Sequence, residues 1–472
     1  MKKFLINILK VSFSNVLSLL SGVLVGFAVP KMLGLVGYAN FKIYTLYLTY
    51  IALLSLGLGD GLYLRFSGMD RDELDINQIR YYLHKYYKQL FIFAFAALVL
   101  TILFAPNDYK FIFIALSLTI ISSQIIAVHQ NISIITSRFN EYSIRVIAKA
   151  ILTILLVSIL IIQYKHFGEE IYYQEYIIGV VIIDYILAVW YIYTYREFSF
   201  GITNYSATQN NRYSDLLLLG FPLLVSNMAG SIFLNLDRQF VSILFIKEDY
   251  AIYAFAYNML TLITVMTSAV SLVLFPALKK MKTIDVGKTI STYLGPFNMV
   301  VSFFLIIYFP LCGFIPFFLP KYIGSIAVFR VVLPGLVIST SVSAVLINFY
   351  KLEGEVKKYF VITLISIAFS AILNYCAYYF FGTYISISWA SIISLSVWYF
   401  LSIWYFKKKY SIKIAKNAGY IMAIGTSFYI ITMLISNIIT GFCIYLVIYS
   451  GISLLFYGKT IANYINNRRL NM

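Results

Sequence analysis

Charge is scarce in this chain. Asp, Glu, Lys and Arg make up 12% of its 472 residues, against about 25% in a typical soluble domain. So little charge excludes a water-soluble globule, and the abundance of apolar residues excludes a disordered chain. Cysteine is nearly absent as well. Cys312, Cys376 and Cys443 are odd in number, widely spaced and set in apolar segments, which excludes a disulfide framework or a zinc site and leaves them as small core hydrophobes. Long connections are missing too. The longest one on the outer side, Tyr164 to Glu175, leaves no room for an external catalytic domain, and no connection could hold an ATPase. No Gly-x-x-x-x-Gly-Lys-Ser/Thr sequence occurs, so no P-loop supplies power. A Ser/His/Asp set, a metal-ligand cluster and a Gly-rich phosphate loop are all lacking. The expectation is a protein that is not an enzyme and carries no cofactor and no metal.

Apolar residues are what the chain has: 61% are hydrophobic, and the mean hydropathy is +0.85. Runs such as Leu90–Phe104 and Val300–Phe309 carry no charge. They are too long and too uniform for a transmembrane β-barrel, whose segments are about ten residues of alternating polarity. The fold class is therefore an all-α polytopic membrane protein. A helix needs roughly 20 apolar residues to cross the hydrocarbon core, and that criterion predicts about 14 transmembrane helices. The first seven are Val11–Pro30, Phe41–Gly59, Leu90–Phe104, Phe111–Val128, Val146–Gln163, Tyr176–Tyr195 and Leu216–Phe245. The others are Tyr250–Pro276, Tyr293–Leu319, Ala327–Phe349, Tyr359–Phe380, Tyr384–Phe406, Ala418–Ser436 and Ile438–Tyr457. The seventh is long enough to require a tilt, a bend or an extension past the bilayer.

The net charge of +17 needs a location. No soluble basic domain exists to bind nucleic acid. With the N-terminus inside, alternate connections place 28 of the 36 Lys and Arg on the inner side and 8 on the outer side, a strong positive-inside asymmetry. Both termini are then cytoplasmic. The Met-Lys-Lys start is followed by no small-residue cleavage site, so the first span is read as uncleaved. The stretch from Arg80 to Lys88 mixes Tyr with cations and predicts an amphipathic helix at the headgroup level, or else a solvated loop.

A shift of 212 residues lays Ser14-Asn15 on Ser226-Asn227, Tyr38-Ala39 on Tyr250-Ala251 and Leu48-Thr49 on Leu260-Thr261. It maps span one onto span seven. Six is an even number, so the halves keep one orientation and form a parallel repeat. The expected organisation is a six-helix bundle over 1–212, a second over 213–409, and an additional helix pair with a cytoplasmic tail over 410–472. Two facing bundles would leave a central cavity for a substrate.

Ionisable residues inside spans are costly and mark function by default. Asp184, near the middle of the sixth span, is a candidate for binding a coupling H+ or Na+; a structural ion pair or a hydrogen bond to Tyr would serve it equally. Asp237-Arg238 interrupts the seventh span. Adjacent residues point about 100° apart on a helix and pair poorly with each other. One of them would face a wet cavity, and an Arg fork suits phosphate; an anchor at the outer interface is the alternative. Arg145 and Lys149, spaced i, i+4, share a face at the inner mouth of the fifth span, with His129 and Arg138 just before them. They could form a cationic vestibule for an anionic headgroup, or simply snorkel. Arg330 near the start of the tenth span is a further candidate. Asp60 and Arg65 bracket the inner end of the second span, where they could pair or guide phosphate, with Asp60 a second candidate for ion coupling.

Two stretches carry a family resemblance: Pro30-Lys31-Met32-Leu33-Gly34-Leu35-Val36-Gly37-Tyr38-Ala39, and Gly57-Leu58-Gly59-Asp60-Gly61-Leu62-Tyr63-Leu64-Arg65. With Leu236-Asp237-Arg238 and Tyr250-Ala251, the chain resembles the O-antigen, or polysaccharide repeat-unit, flippases of the multidrug/oligosaccharidyl-lipid/polysaccharide exporter superfamily. The resemblance implies translocation of an undecaprenyl-pyrophosphate-linked oligosaccharide from the inner to the outer leaflet of the bacterial inner membrane. It further implies alternating access, coupling to a cation gradient, and a place in O-antigen or capsule synthesis beside a polysaccharide polymerase and a chain-length regulator. It assigns the family's cationic lumen to Arg238, then to Arg145 and Lys149. Expected partners are the lipid-linked oligosaccharide, membrane lipids and H+ or Na+, and no nucleic acid. The rivals are a drug/cation antiporter of the same superfamily, which would want more acids in its cavity, and a membrane-embedded polymerase or glycosyltransferase, which would need a large outer loop.

The charge asymmetry makes a direct prediction. Single cysteines placed after Lys409 should react only with reagents that reach the cytoplasm, and those after Glu170 and Lys321 only with impermeant external reagents. External labelling at Lys409 would overturn the fourteen-span topology.

Overall fold

A computed structural model describes residues 2–67, 69, 73–136, 138–202, 205, 212–279, 285–412 and 414–470. The regular structure among them is helical, with no strand. The helices are α1 (Lys2–Leu48), α2 (Leu58–Phe66), α3 (Ile76–Phe104), α4 (Asn107–Ile135), α5 (Phe139–Phe167), α6 (Tyr173–Thr194), α7 (Arg196–Ser199) and α8 (Tyr213–Leu244). Then follow α9 (Lys247–Lys279), α10 (Val286–Phe303), α11 (Tyr308–Phe318), α12 (Ser325–Thr340), α13 (Ile347–Leu352), α14 (Val356–Phe381), α15 (Tyr384–Tyr410), α16 (Ile414–Leu434) and α17 (Ile438–Leu470).

Twelve stretches among the described residues are long and apolar enough to cross a membrane. Eleven coincide with one expected span each; the twelfth, Leu17–Ser55, holds the first two. The other expected span, Tyr250–Pro276, lies on α9, 33 residues long. The chain is a multi-pass membrane protein. Arg71, Lys280, Lys282 and Lys413, counted among the inner cations, lie outside the described residues.

The chain divides into two compact units, Met1–Ser231 and Ile232–Met472. The division falls inside α8, so the first unit takes in the opening turns of that helix beyond the connection at 212. The 410–472 helix pair belongs to the second unit. In the first unit α4 is the enclosed centre, and in the second it is the span Ser325–Leu352. These are the fourth and tenth spans. The same 212-residue offset sets Gly34 on Ile246. Gly34 breaks α1 with φ 64°, ψ −174°, and Ile246 lies in the connection between α8 and α9.

Breaks inside spans follow from close packing. At Gly34 the chain turns against the 168–172 connection, where the Ile171 N–H donates to the Met32 carbonyl at 2.9 Å. Span two is not one α-helix: a 3₁₀ segment, Thr49–Ser55, ends at Leu56 and Gly57 in left-handed conformations (φ 49° and 90°) before α2 begins. A side chain on Gly57 would put its Cβ 2.5 Å from the Phe221 nitrogen, and one on Gly220 would sit 2.0 Å from the Gly57 carbonyl oxygen. Small residues let backbones approach this closely in membranes, where packing rather than hydrophobic burial holds helices together. Between α12 and α13 a π-helical turn, Ser341–Leu346, carries the span onward.

The expected amphipathic interfacial helix is not separate. Arg80 to Lys88 forms the opening turns of α3, which starts at its Asp75 N-cap. Tyr82 and Tyr86 are buried, and Arg80 donates to the Glu197 carbonyl (2.6 Å) and the Ile202 carbonyl (3.1 Å). Two of the four tyrosines in this stretch are thus internal packing.

Gly220→Leu should therefore destabilise the first unit by about 1–3 kcal/mol or more, the cost of overpacking against rigid backbone. The check is a thermal unfolding scan of purified protein in detergent; an unchanged midpoint would mean that α2 and α8 do not need this contact.

Candidate functional site

Buried charges form one cluster in each unit. In the first, α4, α5 and α6 bring most of the expected cations to one place. Arg145 is 2% exposed. Its guanidinium donates to the Glu141 carbonyl and carboxylate, both at 2.7 Å, and to the Thr194 hydroxyl. It lies over the rings of Tyr191 (4.4 Å) and Trp190 (4.9 Å). Fully enclosed His129 extends this stack against Tyr191 and Tyr195, with Nδ1 2.8 Å from the Ile125 carbonyl and Nε2 3.3 Å from the hydroxyls of Tyr87 and Ser199. Arg138 stands over Tyr195 at 5.6 Å. The proposed vestibule is thus a packed ladder of cations and rings, and Glu141 neutralises Arg145 within its own helix.

Lys149, one turn beyond Arg145, turns to α6. Its Nζ donates to Asp184 Oδ1 at 2.7 Å, with the lysine half exposed and the carboxylate buried. Asp184 takes the ion-pair alternative left open by the sequence. Arg65 donates to the Tyr82 hydroxyl at 3.1 Å, and Asp60 sits half-buried in the first turn of α2. Arg330 donates to the Tyr308 hydroxyl at 3.1 Å and faces the Met433 sulfur at 3.0 Å.

In the second unit the pair Asp237–Arg238 separates as adjacent helix residues must. The Arg238 guanidinium lies over the Tyr257 ring at 4.6 Å and donates to the Leu234 carbonyl at 2.7 Å, while its Nε is buried without a hydrogen-bond partner. Asp237 takes another direction. It is 4% exposed, the same as Asp184, but it forms no ion pair among the described residues. Three side-chain hydroxyls donate to its Oδ2: Tyr253 at 2.8 Å, Ser391 at 3.1 Å and Tyr257. Oδ1 accepts the Arg238 backbone N–H at 2.7 Å.

A cavity of about 50 Å³ adjoins Asp237, with Ser339, Ser370, Ser391 and Ser394 in its wall. That is room for a few water-sized groups. Asn374 donates to Ser370 at 3.1 Å, and its own Oδ1 is buried without a hydrogen-bond partner. So it is Asp237, not Arg238, that borders this cavity. The residues the sequence reading missed are Tyr253, Tyr257 and these serines. A signal was available: Thr363, Ser366, Ser370 and Asn374 on α14, with Ser388, Ser391 and Ser394 on α15, recur at helical spacing inside otherwise apolar spans, and all are buried.

Apolar spans in two compact units, with buried carboxylates inside them, define a polytopic all-α membrane protein. Several solved structures share this fold. Lipid II flippase MurJ in an inward closed conformation matches with a TM-score of 0.70 at 15% identity, covering 97% of this chain and 100% of its own. An inward-facing multidrug resistance MATE family transporter of the MOP superfamily gives 0.64 at 14% identity, over 86% and 98%. A MOP superfamily transporter from Pyrococcus furiosus Vc1, described with a binding pocket of reversed polarity, gives 0.52 at 14%, over 85% and 95%. These structures are transporters and a flippase, not enzymes. No protein-family model matches the sequence, and no curated protein is similar to it in sequence.

Removing Lys149 would leave Asp184 buried beside no cation. Lys149→Met should cost about 1–3 kcal/mol, less than for a fully enclosed pair because the lysine is half exposed. Adding Asp184→Leu should restore most of that loss. The check is a double-mutant cycle on thermal midpoints; additive losses would mean that the two groups are not coupled.

Proposed function

We propose that the protein is a cation-coupled flippase that moves an undecaprenyl-pyrophosphate-linked oligosaccharide from the inner to the outer leaflet of a bacterial inner membrane by alternating access, with Asp237 as the coupling carboxylate. The observation that carries the coupling is the environment of Asp237. A carboxylate buried among apolar spans is expensive unless its charge is met. Three hydroxyls stabilise it, and among the described residues no cationic side chain pairs with it. A proton on the carboxyl, or a Na+ held by the carboxylate and neighbouring hydroxyl oxygens, would supply the missing charge, since hard cations favour oxygen ligands. Asp184, already neutralised by Lys149, has less need of one. This moves the coupling role from Asp184 and Asp60, the candidates from sequence, to Asp237.

Two things support the lipid-linked substrate: the motifs around Pro30 and Gly57, and the match to a lipid II flippase across nearly the whole chain. A product delivered to the outer leaflet would be consumed by a polysaccharide polymerase and its chain-length regulator.

The test is reconstitution in vesicles with a fluorescent pyrophosphate-linked oligosaccharide, under an imposed Na+ or pH gradient. Transfer should accelerate under one of the gradients, and Asp237→Asn should lose that acceleration while staying folded. Asp184→Asn should keep its gradient response. Gradient-driven efflux of a cationic dye without transfer of the lipid-linked sugar would identify the drug antiporter instead. Unchanged gradient response in Asp237→Asn would remove Asp237 from the coupling role.

A further inference from the structure

We propose that a recess at one end of the second unit binds the headgroup phosphate of an anionic phospholipid. The recess, about 420 Å³, lies between the start of α10, the α15–α16 connection and the last apolar turn of α17. Three helices end at its level: α10 opens at Val286, α15 closes at Tyr410 and α16 opens at Ile414, while beside them the apolar run of α17 gives way to Gly458-Lys459. A hollow bounded by these ends lies where hydrocarbon gives way to headgroups.

Its chemistry is that of a phosphate site with an apolar side. Tyr457 is buried against Gly295, where an added Cβ would sit 2.6 Å from the Tyr457 ring. Its hydroxyl donates to buried Asn417 at 2.5 Å. Lys416 holds its ammonium over the Tyr457 ring at 4.8 Å, and Lys288, exposed in the first turn of α10, lines the same hollow. Neither lysine has an acidic partner among the described residues. Lys409, which ends a span nearby in sequence, is by contrast taken up by Glu353. The one carboxylate in the wall, Asp285, caps α10 by accepting the Lys288 backbone N–H at 3.0 Å. Two ammonium groups against one carboxylate leave the hollow net positive.

A lysine ammonium is a strongly hydrated point charge and holds a free anion weakly. A phospholipid adds its acyl chains. Beside Tyr457 the outer face of α17 exposes Leu454 and Leu455, with Val447 further along, an apolar strip on which those chains can lie while the phosphate meets the lysines. Each interfacial lysine adds to the attraction for an anionic headgroup.

The test is native mass spectrometry of the full-length protein, purified in detergent and titrated with palmitoyl-oleoyl phosphatidylglycerol. Wild type should retain one tight lipid adduct. Lys288→Gln/Lys416→Gln should bind it about thirtyfold more weakly. Lys407→Gln/Lys408→Gln, which removes charge near the same span end but outside the hollow, should bind as wild type does. Phosphatidylcholine, with no net charge, should bind no better to wild type than phosphatidylglycerol does to the Lys288/Lys416 variant. Should that variant fail to fold, Lys416→Gln alone should weaken binding about fivefold, and Lys288→Arg/Lys416→Arg should retain it. Equal binding by the Lys288/Lys416 variant, or an equal loss in the Lys407/Lys408 variant, would overturn the site. Displacement of the lipid by an equal concentration of inorganic phosphate would overturn it too, identifying a free-anion site.

Discussion

Within a bilayer every backbone N–H and C=O must find its partner inside the protein, and this constraint governs the whole architecture. It makes the chain helical, and it decides where a helix can stop. Each interruption within a span is met by a bond or a close contact. The Leu56 N–H donates to the Leu53 carbonyl at 3.0 Å, and the Gly61 N–H to the Gly57 carbonyl at 2.8 Å. The Gly34 break is covered by the connection whose Ile171 donates to Met32. The glycine contact of α2 with α8 belongs to the same logic, because a left-handed turn in the membrane interior is tolerable only where another backbone lies directly against it.

Span number and span type were legible in the sequence, because length and hydropathy are the physical requirements for crossing a bilayer. The interior of a span was not. Nothing in the hydropathy of Thr49–Ser55 distinguishes a 3₁₀ segment from an α-helix, since the cause lies some 170 residues away at Gly220 and Phe221. The Arg80–Lys88 stretch misled for a related reason: Tyr beside Lys is the composition of both a headgroup belt and a buried polar joint, and only the position of α7 decides between them. At the charged positions the i, i+4 spacing of Arg145 and Lys149 correctly put them on one helix, but their partners are different. Glu141 is local and could be read from the spacing; Asp184 sits 35 residues away on α6 and could not. For Asp237–Arg238 the sequence showed two charges pointing apart, and chemical analogy drew attention to the arginine. The polar stripes of α14 and α15, whose Ser370, Ser391 and Ser394 line the cavity beside the carboxylate, were the better guide.

The two units treat the same problem in opposite ways. Asp184 and Asp237 are equally withdrawn from solvent. The first is settled permanently by a covalently attached cation, the Lys149 ammonium; the second is met by hydroxyls and one backbone N–H. Hydroxyls can donate to an anion and can turn to offer lone pairs to a cation, so the Asp237 environment accommodates two charge states where the Asp184 environment accommodates one. A protein of two such units can in this way keep one electrostatically fixed and leave the other responsive.

The π turn at Ser341–Leu346 bears on how the span can change in length over evolutionary time. A π turn accommodates about one residue more than an α turn. Deleting a single residue elsewhere in the Ser325–Leu352 span would rotate everything beyond the deletion by about 100° and carry Ser339 and its neighbours out of phase with the residues that follow. Deleting one residue inside 341–346 converts the wide turn to an ordinary α turn and leaves the faces on either side in register. This segment is therefore the natural point for a one-residue gap, a reservoir of length in the most enclosed span of the second unit.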